Sequence, residues 1–382
     1  MDWLTDIFYY LVPFVVLLGV LVFVHELGHF LVAKAAGVKV EEFSLGFGKE
    51  LWGFNDRTGT RWKVCAIPLG GYVRMFGDAD AASATESDEV KKLSEEDLKR
   101  TFTAQAPYKK LAITLAGPAV NYLFAILIFT AIFFFWGRLT FPPVIDEVLD
   151  GGAAQTAGLQ KNDKVIEING KKIDTFADLQ REVDLSVDKK ADLVVQRGEQ
   201  VLNIPVVLKE LEVPTSEYDS ENAPKKQKLL LGVRSVNAVE LDKKDLSLGE
   251  ALTEAGAETW DITTATLRGV GQMLTGKRAS DDVGGIIRIA EMTGDISKER
   301  GFIDFFVFMA LLSINLGLIN LFPIPVLDGG QAVICLIEMV SRRELGEKVK
   351  EYMFRFGFGV IMALVVFATW NDLVHLFKRI FV

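Results

Sequence analysis

Five residues near the N-terminus, His25-Glu26-Leu27-Gly28-His29, have types and a spacing suited to metal-assisted hydrolysis. On a helix, residues four apart share a face, so His25 and His29 can each turn a ring nitrogen toward one Zn²⁺. Glu26, beside His25, can reach a metal-bound water. Zinc lowers the pKa of such a water to roughly 7, and Glu26 can then take its proton as general base. Alone, HExxH is short enough to arise by chance, but the chain has 3 histidines and two of them are in this motif. The motif also lies inside an apolar run, where two histidines and a carboxylate are costly unless paired or ligated. An ionisable cluster at such depth marks a functional site.

Two histidines leave such an ion short of a third protein ligand. The other carboxylates in apolar runs are Asp304, Asp328, Glu338 and Asp372. Asp328 is the best placed. It follows Asn320-Leu-Phe-Pro-Ile-Pro-Val-Leu, where Pro323 and Pro325 break the helix, and broken backbone at membrane depth occurs where it is buried or lines a cavity. His25 lies about 27 Å along its helix from Ile7, and Asp328 about 39 Å from Phe302 before tilt and the proline break shorten the path. Both therefore arrive toward the same side. Glu338 is expected to be a solvated helix end, and Asp304 and Asp372 lie near the opposite ends of their helices. Asn315 and Asn320 are costly in lipid. Either can hydrogen-bond a substrate backbone or a developing oxyanion, or glue helices together, with the substrate role falling to Asn320 before Asn315. Asn121 reads as a packing residue.

The elements that must hold these groups follow from segregated composition. Of 382 residues, 50% are hydrophobic and 24% charged, and mean hydropathy is +0.26. The apolar residues gather in four runs, 7–33, 111–136, 302–340 and 354–377, each reaching the roughly 20 residues that cross a hydrocarbon core. The first run has no positive flank before it, opens with Asp2 and Asp6, and lacks a small-residue cleavage site, so it reads as a retained transmembrane helix and not a signal peptide. Lys34, Lys39 and Lys49 follow the first run, Lys99, Arg100, Lys109 and Lys110 precede the second, and Arg342, Arg343, Lys348, Lys350 and Arg355 separate the last two. By the positive-inside rule those loops are cytoplasmic and residues 138–300 are outside. A net charge of −9 without a basic patch excludes nucleic acid as the main partner. Cys65 and Cys335 have no metal-ligand spacing and read as inert thiols.

Within the first loop, Thr60 to Phe76 is strand-like and broken by Gly70-Gly71, which suggests a hairpin. Residues 78–89 are acidic and alanine-rich, a mobile loop, and Ser94 begins a helix. Residues 144–236 read as a small α/β domain with glycine-punctuated strands and one helix, and residues 246–300 as helical. The expected fold is a polytopic α-helical membrane protein. It has four transmembrane helices, a cytoplasmic-side β-hairpin loop and an inserted extracytoplasmic α/β domain, divided as 1–143, 144–236, 237–301 and 302–382.

The HELGHF of residues 25–30, Phe43-Ser-Leu-Gly-Phe-Gly48, Pro68-Leu-Gly-Gly-Tyr-Val-Arg74, Ala116-Gly-Pro-Ala-Val-Asn121 and Asn320-Leu-Phe-Pro-Ile-Pro-Val-Leu-Asp-Gly-Gly330 occur in order across almost the whole chain. Together they resemble the site-2 protease family of intramembrane zinc metalloproteases, in its RseP-like, regulator of sigma-E branch. The resemblance implies His25, His29 and Asp328 as zinc ligands, Glu26 as base, and Asn315, Asn320, Pro323 and Pro325 as substrate-handling residues. It implies that Gly70, Gly71, Tyr72 and Val73 bind extended substrate as an added strand. Gly152-Ala-Ala-Gln-Thr-Ala-Gly-Leu159, with Asn162-Asp163 and Ile168-Asn-Gly170, resembles a protease-type PDZ domain, with room for one where RseP has a tandem pair and with its ligand unnamed. Gln331 stands where the family often has His, and the segment 283–287 lacks a family proline; neither departure is expected to touch a proposed ligand. The implied partners are the lipid bilayer of a bacterial inner membrane and single-pass transmembrane substrates, such as a trimmed anti-sigma factor or a remnant signal peptide. The competing expectations are a catalytically silent module or chaperone that holds membrane clients, and an ion transporter, which should show duplicated halves.

Overall fold

The computed structural model describes residues 2–77, 94–186, 189–214, 225–235, 242–276, 284–299, 301–343 and 345–381. The acidic segment expected to be a mobile loop, 78–89, lies outside them. The chain begins with α1 (Asp2–Ala36), β1 (Val40–Asn55), β2 (Arg61–Met75), α2 (Glu95–Leu98) and α3 (Pro107–Trp136). A strand-rich stretch follows: β3 (Arg138–Thr140), β4 (Ile145–Val148), α4 (Ala153–Ala157), β5 (Lys164–Ile168), β6 (Lys171–Lys172), α5 (Phe176–Asp184), β7 (Lys190–Arg197) and β8 (Gln200–Val207). It continues through β9 (Lys209–Pro214), β10 (Lys225–Leu230), β11 (Val233–Ser235) and β12 (Asp242–Lys244). Five helices complete the chain: α6 (Leu248–Leu274), α7 (Ile286–Glu299), α8 (Phe302–Asn320), α9 (Asp328–Ser341) and α10 (Glu347–Phe381). Two compact units result, one of residues 1–129 and 284–372, the other of residues 130–283 and 373–382.

Four segments, Phe8–Ala36, Pro107–Trp136, Phe302–Asn320 and Lys348–Phe377, are long and apolar enough to cross a membrane. Helix suits such segments, because it pairs backbone N–H and C=O groups within the segment where hydrocarbon would offer them no partner. The third apolar run is not one helix. α8 stops at Asn320, residues 321–327 turn, and α9 starts at Asp328. α1 ends where Gly37 takes φ +91°, letting Val38 N–H donate to Ala33 O at 2.9 Å; glycine enters that left-handed region without strain.

In the first unit, β1 and β2 do form a hairpin, but its turn is at residues 56–60 and not at Gly70-Gly71. Asp56 Oδ1 accepts from the backbone N–H of Thr58 at 2.8 Å and of Thr60 at 2.9 Å, the local bonding that makes Asp a turn residue. Both strands then bend, so that Phe43 is opposite Trp62 on one side and Val73 on the other. Phe43 stacks on Trp62 at 4.2 Å and is buried with Phe30 and Ala33 of α1. Burying a side chain such as Phe43 contributes about 2–3 kcal/mol, which holds the hairpin against α1.

In the second unit, antiparallel strands in the order β6-β5-β7-β8 share one core with α4 and α5, centred on Ile145, Val165, Leu179, Leu193 and Val195. α5 begins with a capping box of Thr175 and Asp178. α6 is tied to α5 by Arg268 on Glu182 at 2.8 Å and Arg181 on Glu258 at 3.1 Å.

Candidate metal centre

His25 and His29 stand one turn apart on α1. Their Nε2 atoms are 3.2 Å from each other. Asp328 opens α9, and its Oδ2 lies 3.2 Å from His25 Nε2 and 3.5 Å from His29 Nε2. That oxygen is buried and has no aligned hydrogen-bond donor. Two imidazoles and a carboxylate are a donor set that suits a borderline-soft divalent ion. Bonds of about 2.0–2.1 Å in tetrahedral geometry put ligand atoms about 3.3 Å apart, close to all three separations here. Among the described residues, this is the cluster whose donor atoms converge as a metal site requires.

Local sequence explains how each donor arrives. His29 Nδ1 is 2.8 Å from Ile113 O on α3; a carbonyl can only accept, so the proton sits on Nδ1 and the Nε2 lone pair faces the cluster. His25 Nδ1 is 3.1 Å from Asn121 Nδ2. Asp328 is delivered by a sharp reversal at 321–327. A Cβ on Gly329 would come within 2.6 Å of Phe322 O, and one on Gly330 within 2.5 Å of Pro325 Cα, so these two glycines permit the close approach.

A cavity of about 400 Å³ opens on the cluster, and its wall includes His25, Glu26, His29, Asn320, Asp328 and Gln331. The strand edge formed by Gly70, Gly71, Tyr72 and Val73 lines it too. Gly71 is pressed against α1: a Cβ there would be 2.8 Å from Val22 Cγ1 and 3.0 Å from Glu26 Cγ. Tyr72 donates its hydroxyl to Glu42 at 3.0 Å.

Asn315, Pro323 and Pro325 are not on the cavity wall. Pro325 instead meets α10, where a Cβ on Gly357 would be 3.0 Å from its Cδ. Glu338 is not a solvated end: it is buried, ion-paired with Lys350 at 2.8 Å and accepting from Leu345 N–H at 3.0 Å. Asp372 is not on the cavity wall and accepts from backbone N–H groups at the start of α7. Cys65 and Cys335 are buried free thiols.

Three residues escaped the sequence reading. Asn121 is a partner of His25 and not only packing. Gly117 fits against both histidine rings, since a Cβ on it would be 2.7 Å from His25 Cε1. Gln331, expected to touch no proposed ligand, lines the same cavity. The signal for the first two lay in the Ala116-to-Asn121 motif, whose order was visible while its target was not.

Four candidate spans with a two-histidine, one-carboxylate cluster among them define a polytopic membrane protein built for metal-dependent hydrolysis. A family model, peptidase family M50, matches residues 13–364. The chain belongs to this family of membrane metalloproteases, the site-2 protease family. It is 39% identical to a protein of Agrobacterium fabrum named as a candidate zinc metalloprotease, over 95% of each chain. A like-named protein of Rhizobium meliloti is 38% identical over 99% of this chain and 100% of its own. The metalloprotease MmpA of Caulobacter vibrioides is 32% identical over 95% of each.

Proposed function

We propose that the chain is a zinc-dependent endopeptidase that cuts single-pass membrane proteins within or beside their transmembrane helices. The observation that carries this reading is the convergence of His25, His29 and Asp328 at metal-site spacing on a cavity that also holds Glu26 and a strand edge. His25, His29 and Asp328 would hold Zn²⁺, which when bound supplies a Lewis acid for the scissile carbonyl and acidifies water. Glu26 takes a proton from the attacking water and passes it to the departing amide nitrogen. Asn320 donates a hydrogen bond to the carbonyl oxygen as charge builds on it. The edge at Gly70, Gly71, Tyr72 and Val73 pairs with substrate backbone, which a helix must expose by unwinding before it can be cut. Pro323 and Pro325 serve through the turn that delivers Asp328, and Asn315 holds substrate farther along α8.

Residues 1–143 and 302–382 form the membrane protease, with the hairpin on the cytoplasmic side. Residues 144–236 form a single PDZ domain outside, joined by the helical segment 237–301, and restrict entry of bulky ectodomains. The Lys and Arg distribution supports this orientation in a bacterial inner membrane. Trimmed anti-sigma factors and remnant signal peptides are the substrate class.

Purified full chain in detergent, given a single-pass substrate without its ectodomain, tests the reading against Glu26→Gln. Cleavage by the native chain alone supports it. Equal cleavage by both removes Glu26 as base. Tight holding of substrate without cleavage by a zinc-loaded native chain points to a client-binding module.

A further inference from the structure

Asn121 is fully buried on α3, and its backbone is fixed by Ser313 Oγ, which donates to Asn121 O at 2.9 Å. Its side-chain nitrogen lies 3.1 Å from His25 Nδ1, while its buried Oδ1 has no hydrogen-bond partner. With the nitrogen donating to Nδ1, a neutral His25 must carry its proton on Nε2, the atom that faces His29 and Asp328. A protonated Nε2 cannot bind a metal. A half-turn of the amide, which exchanges two atoms of nearly equal size, reverses both features. Oδ1 then accepts from Nδ1–H, and the Nε2 lone pair is presented to the cluster. Ile113 O does the same for His29 at 2.8 Å, but a backbone carbonyl has no alternative role, whereas an amide side chain has two.

We propose that Asn121 is a positioning residue that sets the tautomer and ring orientation of His25, so that Nε2 can serve as a metal ligand. This rests on the metal-centre reading above. Hydrogen-bond partners of ligating histidines typically contribute 10–100-fold to metal affinity, and Asn121 is the side chain placed to do so for His25.

The test is zinc affinity of the purified full chain in detergent, measured by competition with a chromophoric chelator, with the absorption spectrum of the Co²⁺-loaded protein as a second readout. Asn121→Leu, similar in size but without an acceptor, should weaken zinc binding about 10–100-fold and alter the Co²⁺ bands. Asn121→Asp should bind zinc at least as well as the native chain, because a carboxylate accepts more strongly from Nδ1–H. Ser313→Ala, which removes the hydroxyl bonded to Asn121 O and leaves the side-chain amide in place, should leave affinity near native. A merely structural Asn121 predicts another order, with the buried carboxylate of Asn121→Asp the most damaging change. The proposal is overturned if Asn121→Leu binds zinc as natively, or if Asn121→Asp binds no better than Asn121→Leu. Should Asn121→Leu fail to fold, the Asn121→Asp affinity and spectrum still decide. A native chain that binds no zinc would instead remove the metal-centre reading itself.

Discussion

A Cβ built on Gly117 would stand 2.8 Å from Nε2 of His25, so the bare Cα of this glycine is the floor on which the histidine pair rests. Gly117 is followed by Pro118 within α3, and neither residue favours a helix. The cost is offset by the room this glycine leaves. Gly117→Ala should therefore push apart donors that now lie at metal-site spacing. We expect bound zinc, measured by elemental analysis after gel filtration, to fall to a small fraction of native, with cleavage lost in parallel. Full zinc occupancy in Gly117→Ala would show that the ring contacts relax without consequence.

The relation between Gly71 and Glu26 gives a different signature. Gly71 brings a strand edge against α1, with no space for a side chain beside Val22 and Glu26. Gly71→Val should tilt that edge away while leaving His25, His29 and Asp328 in place. Zinc content should stay near native. Cleavage of a transmembrane substrate should fall about 100-fold, the order of loss that a 1 Å misplacement brings. Parallel loss of zinc would mean that the hairpin supports the metal cluster itself.

These two glycines also mark where the sequence was legible. The HExxH spacing and the apolar runs announced a helix with two histidines on one face, because helical period and membrane length are local properties. Asp328 could be reached by adding depth along α8, since the Asn320-to-Leu327 break advertises itself through two prolines. Asn121 could not be reached that way. It lies 96 positions from His25 in sequence, and a lone Asn on an apolar helix is more often helix glue. The hairpin turn was misplaced because Gly70-Gly71 looks like a turn, while the actual one at 56–60 is made by Asp56 accepting neighbouring N–H groups. Glu338 looked like a solvated end because its partner, Lys350, belongs to the following helix.

Asp163 makes a pH prediction for the unit of residues 130–283. Burial raises its pKa, but Arg197, at 2.7 Å from each carboxylate oxygen, and Gln160 N–H, at 2.8 Å, outweigh that and hold it below the usual carboxylate range. A folded pKa below the unfolded value of about 3.9 gives stability that is present above that pH and lost as pH falls through the folded pKa. Thermal unfolding of this unit should shift downward as pH drops below about 4. Asp163→Asn should cost about 2–3 kcal/mol at neutral pH, the scale of hydrogen bonds to a charged group, and should flatten the acid limb. Arg197 remains partly exposed, so water moderates the loss relative to a fully buried pair. An acid limb unchanged in Asp163→Asn would assign that pH dependence to other carboxylates.

Asp372 joins two helices of the first unit, and removing it should loosen one of them selectively. Its carboxylate accepts from the backbone N–H groups of Gly285 at 2.8 Å, Ile287 at 3.0 Å and Arg288 at 3.3 Å. Those are the unsatisfied donors of the first turn of α7, where a negative charge also meets the positive end of the helix dipole. α7 has a second tether, Tyr10 Oη donating to Asp295 Oδ1 at 2.7 Å, so losing the first should fray its start without releasing the helix. Replacing such an acceptor costs about 1–2 kcal/mol, and every 1.4 kcal/mol is roughly a factor of ten in an equilibrium. In Asp372→Ala, hydrogen exchange at residues 286–290 should therefore accelerate about tenfold, while exchange around Asp295 changes less and zinc content stays native. Asp372→Asn should show a smaller effect, since one acceptor oxygen survives. Unchanged exchange at the start of α7 in both variants would mean that water or neighbouring groups satisfy those donors as well as the carboxylate does. Zinc loss in either variant would instead tie the Asp372 contact to the metal centre.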